Sequence, residues 1–216
     1  MMPSPLPSEI PIFPLTGALL LPSGRLPLNV FEPRYRAMVE DALKGERLIG
    51  MVQPREVEAE ARTSEPAVYS VGCAGRMTLF HETKDRRYEI VLDGISRFEI
   101  DHEIPGRRGY RMVQVRWDKF AGDLLPSEPF DPKLRDQLIA TLERFLGNRG
   151  ASPKNTGITE LSGAELVGAI AMACPFHPIE KQALLEAVTP EEQAKLLAGL
   201  LDMALLGGET GVISRQ

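Results

Sequence analysis

Leu26-Pro27-Leu28-Asn29-Val30-Phe31-Glu32-Pro33-Arg34-Tyr35-Arg36-Ala37-Met38 changes its period part-way. Leu26, Leu28 and Val30 alternate with Pro27 and Asn29, the pattern of a strand with one face turned to a core. From Pro33 onward the apolar positions Tyr35, Met38, Val39 and Ala42 recur at helical spacing. Proline suits the first turn of a helix, because the N–H it lacks would have no partner inside the helix there. A strand that runs straight into a helix, with strand signals before and after it, makes the first half of the chain β-rich with one inserted helix.

Outward from this stretch the strand signals repeat. Ile10-Pro11-Ile12-Phe13-Pro14-Leu15 is short, apolar and rich in proline, which suits an edge strand. Leu48 to Val52 reads as a strand, and the charged run from Pro54 to Pro66 as a solvated loop. Val68 to Phe80 and Arg87 to Ile100 read as long strands around a polar turn at Thr83-Lys84-Asp85, the second interrupted by a turn at Asp93-Gly94. Met112 to Trp117 is one more strand. Several short strands with turn signals imply a small open barrel or sandwich. Beyond a linker at 119–129, four helices are expected. Asp131-Pro132 and Thr189-Pro190-Glu191-Glu192 combine an N-cap with a first-turn proline, Ser162-x-x-Glu165 is a capping box, and Pro178 can open a helix. The expected fold class is α+β: a β-rich subdomain over 8–118, a helical bundle over 130–206, and a disordered tail over 207–216 after Gly207-Gly208 stops the last helix.

Composition narrows the function. The 216 residues are 43% hydrophobic and 25% charged, with a formal charge of −5 that gives no pull toward nucleic acid or anionic lipid. No basic, apolar leader and no run of membrane-spanning length is visible, and two distant cysteines read as buried thiols of a reducing compartment. A soluble, cytoplasmic protein is therefore expected, with no membrane partner. No Gly-Lys dipeptide occurs, which excludes a phosphate-cradling P-loop, and no dinucleotide fingerprint is present. Gly94-Ile95-Ser96-Arg97-Phe98 lacks the second glycine of a hydrolase elbow and reads as a surface serine beside a turn. Cys174-Pro175-Phe176-His177 reads as a helix-end core cysteine with a capping histidine; no catalytic residue, metal or cofactor is expected. Arg86-Arg87 and Arg107-Arg108 have acidic neighbours and read as solvated loop tips, so nucleic acid is disfavoured as a partner.

The strand–helix junction is the chemically distinctive segment. Glu32 sits where its charge complements the open N–H groups of the helix, and Arg34 and Tyr35 leave in different directions. Two roles fit: a recognition surface, or a brace in which Glu32 and Arg34 lock the helix to the barrel.

The run from Ile12-Phe13-Pro14-Leu15 through Leu26 to Tyr35 resembles the opening of the N-terminal, substrate-binding domain of Lon proteases. Val71-Gly72-Cys73-Ala74, then Leu92-Asp93-Gly94-Ile95-Ser96-Arg97-Phe98, is similar to that domain's middle motifs, and Glu180-Lys181-Gln182-Ala183-Leu184-Leu185-Glu186 to its closing helical signature. The order is kept over roughly residues 8 to 206. The resemblance implies a PUA-like barrel beside a helical bundle, and recognition of unfolded or tagged polypeptide for degradation. The chain ends where Lon proteases of the ATP-dependent protease La family continue into ATPase and Ser/Lys peptidase modules, so a stand-alone, non-enzymatic domain is expected.

The function expected is a non-catalytic module for protein quality control that binds unfolded or hydrophobic polypeptide segments, with a cellular protease complex as a further candidate partner. The candidate peptide-binding residues are Phe31, Glu32, Arg34, Tyr35, Met38, Arg97 and Phe98, lining a trough between barrel and bundle; Met51 could add an adaptable contact. Two alternatives come from other classes: RNA binding through the PUA-like half, and a cryptic hydrolase using Ser96 or Cys174.

Overall fold

A computed structural model of the chain describes residues 6–55, 66–125, 131–148, 150, 157–161 and 163–210. It divides into two compact units, Met1–Leu125 and Pro126–Gln216. The architecture is mixed α/β, a β-rich unit followed by a helical one.

In the first unit the strands are β1 (Glu9–Pro14), β2 (Arg25–Val30), β3 (Leu48–Val52), β4 (Val71–Glu82), β5 (Tyr88–Arg107) and β6 (Tyr110–Arg116), with helix α1 (Pro33–Leu43) between β2 and β3. They hydrogen-bond in the order β2-β5-β4-β3-β1-β6, and the far half of β5 also pairs with β6, which closes the sheet on itself. Among the described strands, only β1 and β3 run parallel.

Three local expectations change. β1 is not an edge strand: it lies between β3 and β6. Its prolines fit because pairing with β3 begins at Ile12, one residue past Pro11, and stops at Pro14. Asp93-Gly94 is not a turn but part of an unbroken β5, where a register shift against β4 leaves Ile95 bulged. Gly94 is needed because a Cβ there would stand 2.0 Å from the Leu21 carbonyl oxygen. The edge strand is β2, which among the described residues pairs only with β5. Pro27 cannot donate to β5, so its nitrogen faces the open side and blunts that edge.

The barrel interior is built on Phe98, packed with Ile10, Ile12, Val52, Ala74, Val113 and Val115. Its ring lies over bare backbone at Gly72, where a Cβ would come within 2.6 Å of the ring. Trp117 meets it edge-on at 5.8 Å and donates its indole N–H to the Pro7 carbonyl. The stretch Asp118–Leu124, expected to open the linker, is a 3-10 helix belonging to the first unit, with Phe120 buried.

The second unit contains α2 (Pro132–Gly147), α3 (Gly163–Ala173), α4 (Pro178–Glu186) and α5 (Pro190–Thr210). Its buried stripes include Leu138, Leu142 and Phe145 of α2, Leu166, Val167 and Ile170 of α3, and Leu197, Leu200 and Leu201 of α5. Two of the caps read from sequence are seen. Asp131 accepts from the Lys133 N–H at 3.1 Å, and Thr189 and Glu192 exchange reciprocal bonds at 3.1 and 3.2 Å. Ser162 lies outside the described residues. The helix does not stop at Gly207-Gly208 but runs through them to Thr210. Glycine costs a helix about 1 kcal/mol relative to alanine, a penalty that does not by itself terminate one. Residues 211–216 lie outside the described residues.

Candidate functional site

The first turn of α1 begins at Pro33 with Glu32 as its N-cap residue, but the Glu32 side chain accepts no bond from the helix N–H groups. It accepts instead from Arg34, whose Nε and Nη2 both lie 3.0 Å from Oε2. The pair is about two-fifths exposed (side chains 44% and 37%), so it is a surface ion pair rather than a buried brace. The Arg34 guanidinium also lies 4.6 Å over the Tyr35 ring. Tyr35 is buried and packs on Phe13 at 4.2 Å between ring centroids. Burial raises the Tyr35 hydroxyl pKa, a shift that the Arg34 charge partly opposes. Phe31, just before this cluster, is 62% exposed. An aromatic ring held in water on a defined junction costs stability, and it is the kind of residue that anchors a partner.

Four of the seven expected recognition residues have side chains withdrawn from solvent. Tyr35 is a packing residue and Met38 is fully buried under α1. Phe98 fills the barrel interior, as above. Arg97 is a buried cation: it pairs with Asp123 through Nε at 2.9 Å and Nη2 at 2.7 Å, its own backbone N–H adds a third bond at 2.9 Å, and its guanidinium lies over Phe120 at 4.4 Å. These residues reach no ligand in this conformation. Met51 is buried as well. Tyr35, Met38 and Phe98 lie on the inward sides of their elements, whereas Arg97, next to Phe98 and so on the opposite side of β5, is enclosed by Phe120 and Asp123 of the 3-10 helix.

Sequence reasoning missed the β5–β6 hairpin. Arg107 and Tyr110 close it across a two-residue turn in which Arg108 (φ 48°) and Gly109 (φ 87°) both take positive φ, the geometry matched to the twist of the flanking strands. Arg108 is not a free loop tip. Its Nη2 lies 2.8 Å from Glu40 and its Nη1 2.9 Å from Asp41, while Tyr110 and Tyr88 donate their hydroxyls to Asp41 and Glu40 at 3.0 Å. The Arg108 hydrogen bond is the largest influence holding Glu40 below its usual range. For Asp41, burial pushes upward, but bonds from Tyr110 and Arg108 outweigh it. A Cβ on Gly109 would stand 3.4 Å from the Arg34 Cβ, so the tip lies beside the Glu32–Arg34 pair. Two concavities adjoin it. One, about 290 Å³, is lined by Glu103, Ile104, Gly106, Gly109, Tyr110 and Arg111. The other, about 190 Å³, is lined by apolar groups that include Ile10, Pro11, Leu48 and Met112, and by charged residues of both signs. Tyr110 lines both. The signal for this region was faint: the Arg-Arg-Gly-Tyr turn and the acidic pair Glu40-Asp41 are far apart in sequence.

The two residues weighed as nucleophiles are enclosed. Ser96 is not a surface serine: it is fully buried and donates to the Arg97 carbonyl at 3.0 Å. Both cysteines are buried, and burial drives the Cys73 thiol far above its usual range, which keeps it protonated. His177 opens α4, its N–H donating to Glu180 at 2.7 Å. No helix among the described residues is long and apolar enough to cross a membrane.

The closed barrel and four-helix unit fit one family, and the family profile described as ATP-dependent protease La (LON) substrate-binding domain matches residues 9–203. The chain belongs to the Lon substrate-binding domain family. A Lon protease 2 of Myxococcus xanthus is 26% identical over 200 residues, 91% of this chain but 24% of that protein. A Lon protease 2 of Sorangium cellulosum is 35% identical over 99 residues, 45% of this chain and 12% of its own length. The chain thus spans a quarter or less of these Lon relatives. Among solved structures, a Lon N-terminal domain protein from Xanthomonas campestris aligns with a TM-score of 0.62 at 22% identity, over 88% of this chain and 97% of that one. The N-terminal domain of Mycobacterium avium complex Lon protease aligns at 0.67 and 18%, over 90% and 98%. At these identities the two structures establish the Lon N-terminal fold, not the site.

Proposed function

We propose that this chain is a non-catalytic module that binds unfolded or extended polypeptide on its first unit, at the surface formed by Phe31, Glu32, Arg34 and the adjoining β5–β6 hairpin. The observation that carries the reading is Phe31: a phenyl ring 62% exposed beside a charged pair, on a strand–helix junction fixed by the buried Tyr35 and Met38. A rigid aromatic anchor loses little side-chain entropy on binding, and the Glu32–Arg34 pair can exchange its internal bond for bonds to a peptide backbone. The concavities on either side of Tyr110 offer room for side chains of an extended segment, one more polar and one more apolar. Membership of a substrate-binding domain family supports polypeptide as the ligand class. The matched profile is that of the substrate-binding domain and not of an ATPase or peptidase, in keeping with a binding role.

The test is a fluorescence-anisotropy titration with a permanently unfolded, labelled polypeptide. Saturable binding with a dissociation constant in the micromolar range is expected, weakened at least fivefold by Phe31→Ala. No binding at high micromolar protein, or binding unchanged by Phe31→Ala and Arg34→Ala together, would refute the reading.

A further inference from the structure

The outward face of the β2–β5–β4 arm carries a pattern that the polypeptide-binding reading does not use. Directly opposed residues of neighbouring strands put their side chains on one face, so the register defines three rows. The middle row is apolar: Pro27, Val91 and Leu79, with Leu79 47% exposed. One neighbouring row is Arg25, Asp93 and Arg76; the other is Asn29, Glu89 and His81. Of the residues between these rows, Leu92, Met77 and Ile90 are buried on the inward face, Leu26 and Leu28 are half-buried there, and Phe80, opposite Ile90, is partly exposed where the arm leaves the barrel. Arg25 engages Asp93 at 3.3 Å, leaving a net charge of +1 in the first row, while Glu89 gives −1 to the second when His81 is neutral. Neither Arg76 nor Glu89 has an ion-pair partner among the described residues. The face therefore reads cationic, apolar, anionic along the strands, with successive rows about 7 Å apart.

We infer that this face is a self-complementary contact for a second copy of the chain. Consider a two-fold axis lying in the interface along the Pro27–Val91–Leu79 row. It stacks the apolar row on its own image and lays the cationic row of each copy over the anionic row of the other, as an isologous interface requires. Glu89 of the second copy then enters between Arg25 and Arg76, beside an Asp93 that Arg25 already neutralises. An indifferent apolar surface for client polypeptide would not need opposite, unpaired charges placed symmetrically about its centre. Three strands by five residues cover about 250 Å² per copy, well short of an obligate interface, so the dimer is weak and forms toward the upper end of the concentration range below. Its consequence would be bivalency: two Phe31 surfaces on one particle bind one unfolded chain more tightly than either alone.

Sedimentation equilibrium of the full chain from 10 µM to 1 mM tests this. A reversible dimer is expected, weakened at least tenfold by Leu79→Glu, by Arg76→Glu and by Glu89→Arg, and restored in the Arg76→Glu/Glu89→Arg double variant, where the rows exchange sign. All three positions are exposed, and circular dichroism checks that each of the four variants folds. A monomer throughout, or a dimer that ignores these changes, overturns the inference, as does failure of the double variant to recover. Loss of unfolded-polypeptide binding in Leu79→Glu at 10 µM protein, where the wild-type chain is itself monomeric and avidity plays no part, would also overturn it, by assigning the face to clients.

Discussion

Two arginine–carboxylate pairs in the first unit share the same chemistry and behave differently in space. Glu32 and Arg34 lie two residues apart at the start of α1 and meet at the surface; Arg97 and Asp123 come from β5 and a 3-10 helix and meet with almost no exposure. In water the first pair gains little, because solvent screens it and two long side chains must be held in place: measured values are about 0–1 kcal/mol. The second pair has lost its water, so each charge depends on the other. Removing one partner leaves an uncompensated buried charge, at about 3–5 kcal/mol. The exposed pair can be exchanged for other bonds at small cost, which is what the proposed recognition role requires. The buried one is fit for holding Asp118–Leu124 against the barrel, next to the boundary at Leu125 where the first unit ends.

The largest expected effect is accordingly at Asp123. Asp123→Ala should cost about 3–5 kcal/mol in urea unfolding, and Arg97→Met added to it should recover part of that loss by removing the stranded cation. A cost below 1 kcal/mol would dissolve the contrast between the pairs. Next comes Met38→Ala, which opens a cavity under α1 and should lose about 2–5 kcal/mol. Its polypeptide affinity, measured where the variant is folded, should stay within twofold of wild type, since the side chain touches no solvent.

The hairpin clamp makes a smaller, pH-dependent contribution. Glu40 and Asp41 have folded-state pKa values below their ordinary ones, so the stability they add is present above about pH 4.5 and lost as pH falls below about 4. Glu40→Gln/Asp41→Asn should be less stable at neutral pH and show a shallower loss between pH 5 and 3. Equal slopes in wild type and variant would show that the clamp contributes nothing. Smallest of all is Glu32→Ala, expected to change stability by less than about 1 kcal/mol while altering polypeptide binding measurably.

Much of the fold was legible because burial imposes periods. Alternation marked β2, helical spacing marked α1, and proline and capping residues marked where helices begin. What could not be read was pairing between distant segments. Pro11 and Pro14 argued for an edge strand, yet β1 is interior because its prolines fall where the parallel ladder starts and stops. Asp93-Gly94 had the composition of a turn but serves as a bulge that lets the Leu21 backbone approach. At the candidate site, exposure decided what residue type could not. Phe31 and Phe98 are the same residue type, the first just past the end of β2 and in water, the second within β5 and in the core. The Arg108 clamp was invisible because its partners lie 67 and 68 residues away.

The central claim is that unfolded polypeptide meets the chain at Phe31, and site-specific photo-crosslinking tests it most directly. A benzophenone amino acid placed at position 31, and in a separate sample at position 79, is irradiated with a labelled unfolded polypeptide in excess. The account predicts adducts to the polypeptide from position 31 and adducts to a second copy of the chain from position 79. Polypeptide captured equally at both positions, or only at 79, would contradict it.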